Sequence, residues 1–403
     1  MNVIWGIFGI LVVLGIGLLL SQNRRSINLR TILVGLLIQL LFAFIVLKWE
    51  AGRSGLEWVS MRVQDVINFA NEGISFLFGS LSNTEEFGVI FAFNVLTIII
   101  FFSSLISVLY YLGIMQWFIK IIGGGLSKLL GTSMTESMSA AANIFVGQTE
   151  APLVIRPYLA NMTKSELFAV MTGGLASVAG SVLVGYALLG VPLEYLLAAS
   201  FMAAPAGLIL AKIILPETEH SNVKEFEMEK DTDSVNVIDA AARGASDGLQ
   251  LALNVGAMLL AFIALIALIN GILSGFGNLF GYNALSLEGI LGVIFSPIAF
   301  AVGVPWSEAI TAGSFIGQKL VLNEFVAYSY FAPQIDQLTE KTVIVVSFAL
   351  CGFANFSSMA ILLGGLGGLA PSRRPDIAKM GLRAVAAGML ASLLSAAIAG
   401  MFI

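Results

Sequence analysis

Long apolar runs without charged residues recur along the chain and alternate with short polar stretches. A helix needs about 20 such residues to cross the hydrocarbon core of a bilayer. The pattern predicts eight membrane spans. They cover 3–20, 31–47, the uncharged run between Glu86 and Lys120, 167–211 as two spans divided at 190–194, 248–269, 342–365 and 384–403.

Two further segments are amphipathic rather than uniformly apolar. In 54–78, Leu56, Val59 and Val63 recur at helical spacing, with Arg62 and Asp65 on the opposite face. A helix with one apolar and one charged face is typical of the membrane interface. The segment 286–302 is a second candidate for this position.

Two apolar segments, 134–157 and 305–333, are interrupted by charged residues and are too short to span. Such segments are tolerated at membrane depth when they are buried in protein or line a cavity, so they are predicted to be re-entrant hairpins. Glu150 and Glu324 lie in these hairpins, and a charge at membrane depth is costly enough to indicate a function. Two such units in corresponding halves of a chain indicate a transporter with its site between the repeats.

Composition supports this interpretation. The 403 residues are 58% hydrophobic and 11% charged, whereas about 25% of the residues of a soluble domain are charged. The chain has no large basic cluster of the kind that would indicate nucleic-acid binding. The single Cys351 excludes an intrachain disulfide and a cysteine-rich metal site. The single His220 lies in an acidic loop and is interpreted as solvated surface.

The basic residues predict an orientation. With eight spans and an external N-terminus, five of the 20 Lys and Arg residues lie outside, namely Lys48, Arg53, Arg62, Lys319 and Lys341. The positive-inside rule therefore predicts a multi-pass protein of the cell (inner or plasma) membrane with both termini outside. The two hairpins then enter from opposite sides, as an inverted repeat requires.

The hairpins carry groups suited to a polar ligand. Gly147-Gln-Thr-Glu150 supplies an amide, a hydroxyl and a carboxylate, which suit the edge of a nucleobase. The alternative is that Glu150 caps a helix or pairs with Arg156. Asn323-Glu324 supplies oxygens that adjacent sugar hydroxyls can satisfy; the alternative is that Glu324 pairs with Lys319.

Two predicted spans contain weak points. Thr172–Ser181 in the fourth span and Leu350–Ser358 in the seventh are rich in Gly, Ser and other small residues. Unwound helix exposes carbonyl oxygens, which are ligands for a hard cation. The alternative is close packing of helices through small residues, which is common in membranes.

These motifs resemble those of a known family. Gly317-X-Lys319-X-X-X-Asn323-Glu324-Phe-Val-Ala-Tyr328 matches the signature of the concentrative nucleoside transporters. The motifs at 147–152, 352–358 and 370–373 are also similar, and the resemblance covers nearly the whole chain. It implies the fold of a bacterial eight-span member: all-α and polytopic, with eight transmembrane helices, two re-entrant helical hairpins in inverted repeats, and interfacial helices.

The resemblance also implies site residues. The positions expected to face the nucleobase are Gln148, Thr149 and Glu150, with Val182 as an apolar contact. The positions expected to bind ribose are Glu324, Asn355 and Ser358, with Phe353 lining the site. The positions expected to hold sodium, through side-chain and backbone oxygens, are Asn143, Val146, Ser177 and Val178, the last where Ile is usual.

The resemblance therefore implies a symporter whose import of nucleosides is driven by a sodium gradient. It also implies an elevator-type alternating-access mechanism and a homotrimer in the lipid bilayer. Sodium is the coupling ion and no organic cofactor is implied. Proton-coupled relatives carry Ser at the position of Thr149 and lack Cys351-Gly352, so sodium is favoured over a proton. An intramembrane enzyme using Glu150 and Glu324 as acid and base, and a channel, are alternatives from other classes.

A division into parts is also predicted. Residues 1–130 are assigned to a scaffold with spans one to three, and 131–215 to a transport part with the first hairpin and spans four and five. Residues 216–283 are assigned to an acidic cytoplasmic loop and scaffold span six. Residues 284–403 complete the transport part with an interfacial helix, the second hairpin and spans seven and eight.

Overall fold

The computed structural model describes residues 2–83, 90–219, 221, 234–279 and 285–403. These residues form seventeen α-helices joined by turns and short 3₁₀ or π-helical segments, and no β-strand occurs among them. The all-α prediction is therefore confirmed. His220 and most of the acidic loop around it lie outside the described residues.

The helices follow one another along the chain with short connections. They are α1 Asn2–Leu20, α2 Leu29–Ala43, α3 Glu50–Phe78, α4 Phe91–Asn94, α5 Leu96–Tyr111, α6 Ile114–Leu130, α7 Met134–Ala142, α8 Lys164–Ala176, α9 Gly180–Leu188, α10 Leu193–Ile214, α11 Val237–Leu279, α12 Leu287–Ala301, α13 Trp306–Val321, α14 Glu324–Phe331, α15 Glu340–Leu350, α16 Ser358–Leu369 and α17 Arg374–Ala399. A π-helical turn, Phe44–Lys48, extends α2.

Seven helical segments of the described chain are long and apolar enough to cross a membrane. They are α1, α2 with its extension, α4–α5, α8–α9, α10, α11 and α17. The predicted division at 190–194 is confirmed, since α9 ends at Leu188, α10 begins at Leu193, and Gly190 between them has a φ of +109°. The predicted seventh span is two short helices, α15 and α16, because the chain unwinds between them.

The third predicted span was too long. The uncharged run between Glu86 and Lys120 does not form one helix, since α5 ends at Tyr111 and a new helix, α6, begins at Ile114. Gly113 lies between them with a φ of +80°, the left-handed conformation that commonly ends a helix. A run without charges hides such a turn, because both sides of it are equally apolar.

The sixth span was too short and the eighth began too late. Helix α11 has 43 residues and continues through 270–277, where the glycines predicted an end. A glycine costs a helix only about 1 kcal/mol, and the Asn270 side chain ties this part of α11 to α12 by bonding Glu288 and the Leu287 N–H. Helix α17 begins at Arg374, well before the predicted start at 384.

Both predicted amphipathic segments are helical. Helix α3 covers the first and buries Ile67, Ala70 and Ile74, while most of its other residues are exposed. Helix α12 covers the second and meets α13 at an angle of 116°. The position of both helices at the membrane surface stays a prediction.

The helices form an inner group and an outer group. Within their most apolar windows, the inner segments α8–α9, α10 and α17 are 94%, 89% and 83% buried, whereas α1, α2, α4–α5 and α11 are 33% buried or less. Helices α1 and α2 pack against α10 and α17, and α5 packs along α11. The apolar residues on the outer helices are therefore exposed, as is required of a surface that faces lipid. The assignment of parts to scaffold and transport stays a prediction.

Two units of similar construction lie within the inner group. In the first, α7 and the 3₁₀ segment Ala151–Asn161 form a hairpin, and the following span breaks between α8 and α9. In the second, α13 and α14 form the hairpin and the following span breaks between α15 and α16. The two breaks touch, since the Phe353 N–H donates to the Ser177 carbonyl at 3.1 Å. Both predicted weak points are thus confirmed as breaks.

The contact between the breaks generates a prediction about Gly352. A Cβ added there would lie 2.7 Å from Ser392 Oγ and 2.9 Å from the Ala176 carbonyl oxygen. Gly352→Ala should therefore overpack the crossing and lower the free energy of unfolding by about 1–3 kcal/mol. Gly364→Ala in α16 is the matched control, because no atom lies within 4 Å of its added Cβ. Thermal unfolding of the purified proteins in detergent measures both, and equal melting temperatures would contradict the packing described.

Candidate functional site

The tips of both hairpins and both helix breaks border one central cavity of ≈ 130 Å³. The polar lining comes from the turn of the first hairpin, the start of α14 and the break between α15 and α16, and α11 adds apolar side chains. All eight residues that the resemblance assigned to a ligand line it: Gln148, Thr149, Glu150, Val182, Glu324, Phe353, Asn355 and Ser358. The structure thus brings together residues from both halves of the sequence.

The turn of the first hairpin is closed by its own carboxylate. Glu150 Oε2 accepts from the Gly147 N–H at 2.7 Å, and no Glu150–Arg156 ion pair occurs among the described residues. The side chains of Thr149 and Glu150 are exposed, whereas Gln148 is buried and its Oε1 has no hydrogen-bond partner. The Glu150 carboxylate closes the turn that precedes the 3₁₀ segment but makes no cap bond to that segment, so neither the helix-cap alternative nor the ion-pair alternative holds.

Glu324 is buried at the N-terminal end of α14, with 5% of its surface exposed. Asn323 caps this helix by accepting from the Val326 N–H at 2.8 Å. Glu324 Oε1 accepts from the Tyr186 hydroxyl at 3.1 Å, and its Oε2 accepts from Asn355 Nδ2 at 3.0 Å. The helix N-terminus adds a favourable potential for this carboxylate.

Asn355 joins Glu324 to the start of α16. While its Nδ2 donates to Glu324, its Oδ1 accepts from the Ser357 hydroxyl at 2.6 Å, the Ser358 N–H at 2.9 Å and the Ser358 hydroxyl at 3.1 Å. This fixes the direction of the amide, so that a carboxylate, an amide and two hydroxyls form one connected polar group at the edge of the cavity.

The predicted cation residues lie beside the break that follows α8. Asn143 is buried, donates through Nδ2 to the Ser139 carbonyl at 2.9 Å, and has no hydrogen-bond partner at Oδ1. The Gly180 N–H donates to the Phe145 carbonyl at 3.0 Å, which holds the hairpin turn against the break. The side chains of Val146 and Val178 are apolar and buried, so only their backbone oxygens are available.

This arrangement fits a hard monovalent cation. Ser177 is the C-cap residue that follows α8, and its hydroxyl donates to the Gly173 carbonyl at 3.0 Å. A buried amide oxygen without a partner, near the negative end of a helix dipole, is the type of group that such a cation satisfies. Among the residues that the structure describes, no group of three or more His, Cys, Asp or Glu is placed to hold a metal, so a cation here would be bound by neutral oxygens.

Sequence reasoning missed two features of the site: the tyrosine that bonds Glu324 and one wall of the cavity. The first is Tyr186, which lies one helical turn after Val182 on α9, a spacing that places both on one face. The second is the apolar wall of α11, formed by Leu251, Val255, Met258 and Leu259. Their spacing is helical, but an apolar stripe in an apolar span carries no distinguishing signal.

Three family models match the chain. The models described as Na+ dependent nucleoside transporter N-terminus and C-terminus match residues 8–81 and 195–400, and a model described as nucleoside recognition matches residues 92–193. Together they cover most of the sequence.

Individual relatives agree with these models. The chain is 63% identical to an uncharacterized transporter, YutK, of Bacillus subtilis, with 100% of each chain covered. It is 51% identical to the nucleoside permease NupC of Helicobacter pylori, covering 99% of this chain and 98% of the relative. It is 41% identical to human solute carrier family 28 member 3, covering 95% of this chain and 57% of the relative.

Solved structures of one homologue are similar over the whole chain. The inward-facing substrate-bound state of CNTnw superposes with a TM-score of 0.95 at 55% identity, covering 100% of this chain and 98% of the other. A doubly substituted variant of CNTnw in an outward-facing state superposes with a TM-score of 0.97 at 54% identity, with the same coverage.

The bond between Tyr186 and Glu324 gives a prediction that a double-mutant cycle tests. Tyr186→Phe removes the donor hydroxyl but keeps the ring that packs against Phe325 and Tyr328, with centroids 5.0 and 4.4 Å away. Combined with Glu324→Gln, it should show a coupling free energy of roughly 0.5–3 kcal/mol in unfolding measurements, as contacting residues do. Tyr195→Phe, in a separate cavity, should be additive with Glu324→Gln. Additivity of both pairs would contradict the bond.

Proposed function

Because the chain belongs to the concentrative nucleoside transporter family, we propose that the central cavity is its nucleoside site. Membership makes the protein a multi-pass membrane transporter and not an enzyme. It imports nucleosides with sodium as its coupling ion. One observation carries the proposal: the polar groups of both hairpins and of the second helix break face a single cavity whose remaining wall is apolar. A nucleoside has the matching chemistry, since a flat base with mixed donors and acceptors is attached to a sugar with adjacent hydroxyls.

The base is proposed to bind at the turn of the first hairpin. Gln148 Oε1 is buried without a hydrogen-bond partner, and a base amino or imino group satisfies it. Thr149 and Glu150 supply a hydroxyl and a carboxylate beside it, and Val182 packs against the ring face. An acceptor, a mixed group and a carboxylate together recognise the edge of a base rather than a simple anion.

The ribose is proposed to bind at Glu324, Asn355 and Ser358, with Phe353 beside it. An ionised carboxylate has about four acceptor positions, and Tyr186 and Asn355 occupy one position on each oxygen of Glu324. The remaining positions accept from the sugar hydroxyls. Hydrogen bonds to a charged acceptor are stronger than neutral ones, so this end of the cavity distinguishes a nucleoside from a free base.

Sodium is proposed to bind through Asn143 Oδ1, the Ser177 hydroxyl and the backbone oxygens of Val146 and Val178. These residues precede Gln148–Glu150 in the same turn or lie in the break against it, so an ion that orders them also orders the base site. Binding of ion and nucleoside is then linked, and each raises the affinity of the protein for the other. The membrane potential supplies about 2.3 kcal/mol per charge per 100 mV to this coupled step.

Movement is proposed to follow the boundary between the polar lining and the apolar wall. On the α11 side, the cavity is lined by Leu251, Val255, Met258 and Leu259, so α11 contributes no polar group to it. A wall without directional bonds lets the remainder of the cavity slide along it in an elevator-type motion. A homotrimer, residence in the cell membrane and an external position of both termini complete the proposal, the last supported by the distribution of Lys and Arg.

The ribose assignment predicts a selective loss of affinity. Glu324→Gln keeps the shape of the side chain but removes the charged acceptor, so nucleoside binding should weaken by roughly 1.5–3 kcal/mol. Binding of the corresponding free base should change little. Titration calorimetry of the purified protein measures both ligands. Glu308→Gln is the matched control, because Glu308 begins α13 of the same hairpin but bonds Thr339 outside the cavity. Equal losses for nucleoside and free base would refute the assignment.

The ion assignment predicts a shifted sodium dependence. Asn143→Ala removes the unpartnered amide oxygen, so the sodium concentration for half-maximal uptake should rise roughly 5- to 150-fold, the range of typical site-to-site coupling. Saturating sodium should restore part of the uptake in proteoliposomes. Asn68→Ala, at an exposed position on α3, should leave the sodium dependence unchanged. Wild-type uptake that persists in choline but collapses with a protonophore would instead support proton coupling.

A further inference from the structure

Lys319 is a charged residue of the second hairpin to which the proposed transport cycle assigns no part. It lies near the end of α13 and is fully buried. Its Nζ donates to the Ala349 carbonyl at 2.7 Å and to the Ser392 hydroxyl at 3.1 Å. It forms no ion pair with an acidic side chain in the described part of the chain. A buried charge without a counterion is costly, so its position needs a physical reason.

The position of the ammonium group supplies that reason. Helix α15 ends at Leu350, and the last carbonyls of a helix lack intrahelical partners and carry the negative end of its dipole. The ammonium binds one of these carbonyls directly. Through Ser392 it also reaches the break, since the Ser392 hydroxyl lies 3.4 Å from the Cys351 carbonyl oxygen. The positive charge of Lys319 thus offsets the negative end of the α15 dipole, at the break of the second span.

The first repeat has the same construction with the opposite group. Helix α8 ends at Ala176, and the hairpin of the first repeat places Asn143 against this end. A Cβ on Gly173 or Gly174 would lie 3.4 Å from Asn143 Nδ2 and 3.7 Å from its Oδ1, respectively. Here the hairpin contributes an unpartnered acceptor oxygen instead of an ammonium group. The unpartnered group of Asn143 at the end of α8 is therefore an acceptor oxygen, whereas the hairpin of the second repeat places an ammonium group at the end of α15.

We propose that Lys319 is a built-in cation that takes, at the end of α15, the place that the coupling sodium takes at the end of α8. This proposal rests on the sodium site of the proposed function. Of the two helix ends, only that of α8 then binds an inorganic cation, because the end of α15 already carries the positive charge of Lys319. The proposal therefore predicts one inorganic cation per transported nucleoside. Lys319 is a positioning residue: it does not line the cavity, and it acts through the break that carries Phe353 and Asn355.

The test removes the tethered charge and supplies a free one. In Lys319→Ala, the vacated space at the end of α15 should bind a small cation. The Hill coefficient for sodium in nucleoside uptake should rise from about one to about two, the new number of sites. The ratio of sodium to nucleoside transported should rise by the same factor. Sodium chloride or ammonium chloride should raise the melting temperature of the purified variant above its value in choline chloride. The same change of salt should raise the melting temperature of the wild-type protein less.

Two further variants separate charge from packing. Lys319→Arg keeps the charge and should retain a Hill coefficient of about one. Ser392→Ala removes one hydrogen bond but leaves the ammonium group, so it should lower stability without creating a new cation dependence. A purely structural role for Lys319 would lower stability in every variant equally and leave the sodium stoichiometry unchanged.

The outcomes are decisive in either direction. Gain of cation-dependent stability or of a second transported sodium by Lys319→Ala supports the proposal. A folded Lys319→Ala protein with the wild-type sodium dependence overturns the proposal. A Lys319→Ala protein that fails to fold in sodium, ammonium and choline chloride alike also overturns it. If wild-type uptake shows no sodium dependence, the proposed sodium site fails by itself, whereas the gain of cation binding in Lys319→Ala is still measured by thermal unfolding.

Discussion

Two helices that stop in the middle of the protein are the constraint on which the remaining structure depends. Every unpaired backbone group at such a break must find a partner, because the bilayer core provides no water to replace one. The partners come from the other repeat and from the hairpins: the Ser177 carbonyl accepts from the Phe353 N–H, the Phe145 carbonyl from the Gly180 N–H, and the Leu320 carbonyl from the Phe356 N–H. The hairpins are therefore needed to complete the breaks, and the central cavity lies where these elements meet.

The same requirement explains the small residues of the inner helices. A Cβ on Gly388 of α17 would lie 2.7 Å from the Leu175 side chain, and one on Gly207 of α10 would lie 3.3 Å from the Gly173 Cα. Both glycines let a backbone approach the end of α8 closely. Helix packing through small residues and unwinding for ligand binding are thus not alternatives in this protein, since the first holds the second in place.

The sequence was informative where polar residues interrupt apolar runs. Such residues are few and each carries a large cost at membrane depth. The family resemblance assigned eight residues to one ligand, most of them polar, and the structure places all eight on one cavity. The sequence was uninformative where the signal is apolar. The wall formed by α11 and the turn at Gly113 lie in stretches of uniform hydrophobicity. Tyr186 was missed although its helical spacing from Val182 was available, because a tyrosine in a membrane span is not unusual.

The bond between Glu150 and the Gly147 N–H gives the cavity an internal substitute for its ligand. This bond satisfies one of the roughly four acceptor positions of the exposed carboxylate without any ligand. In the proposed base site, a ligand that displaces this bond gains only the difference between the bond it forms and the bond it replaces. Under the proposed function, such an exchange would moderate how tightly the site holds the nucleoside, which favours release over retention.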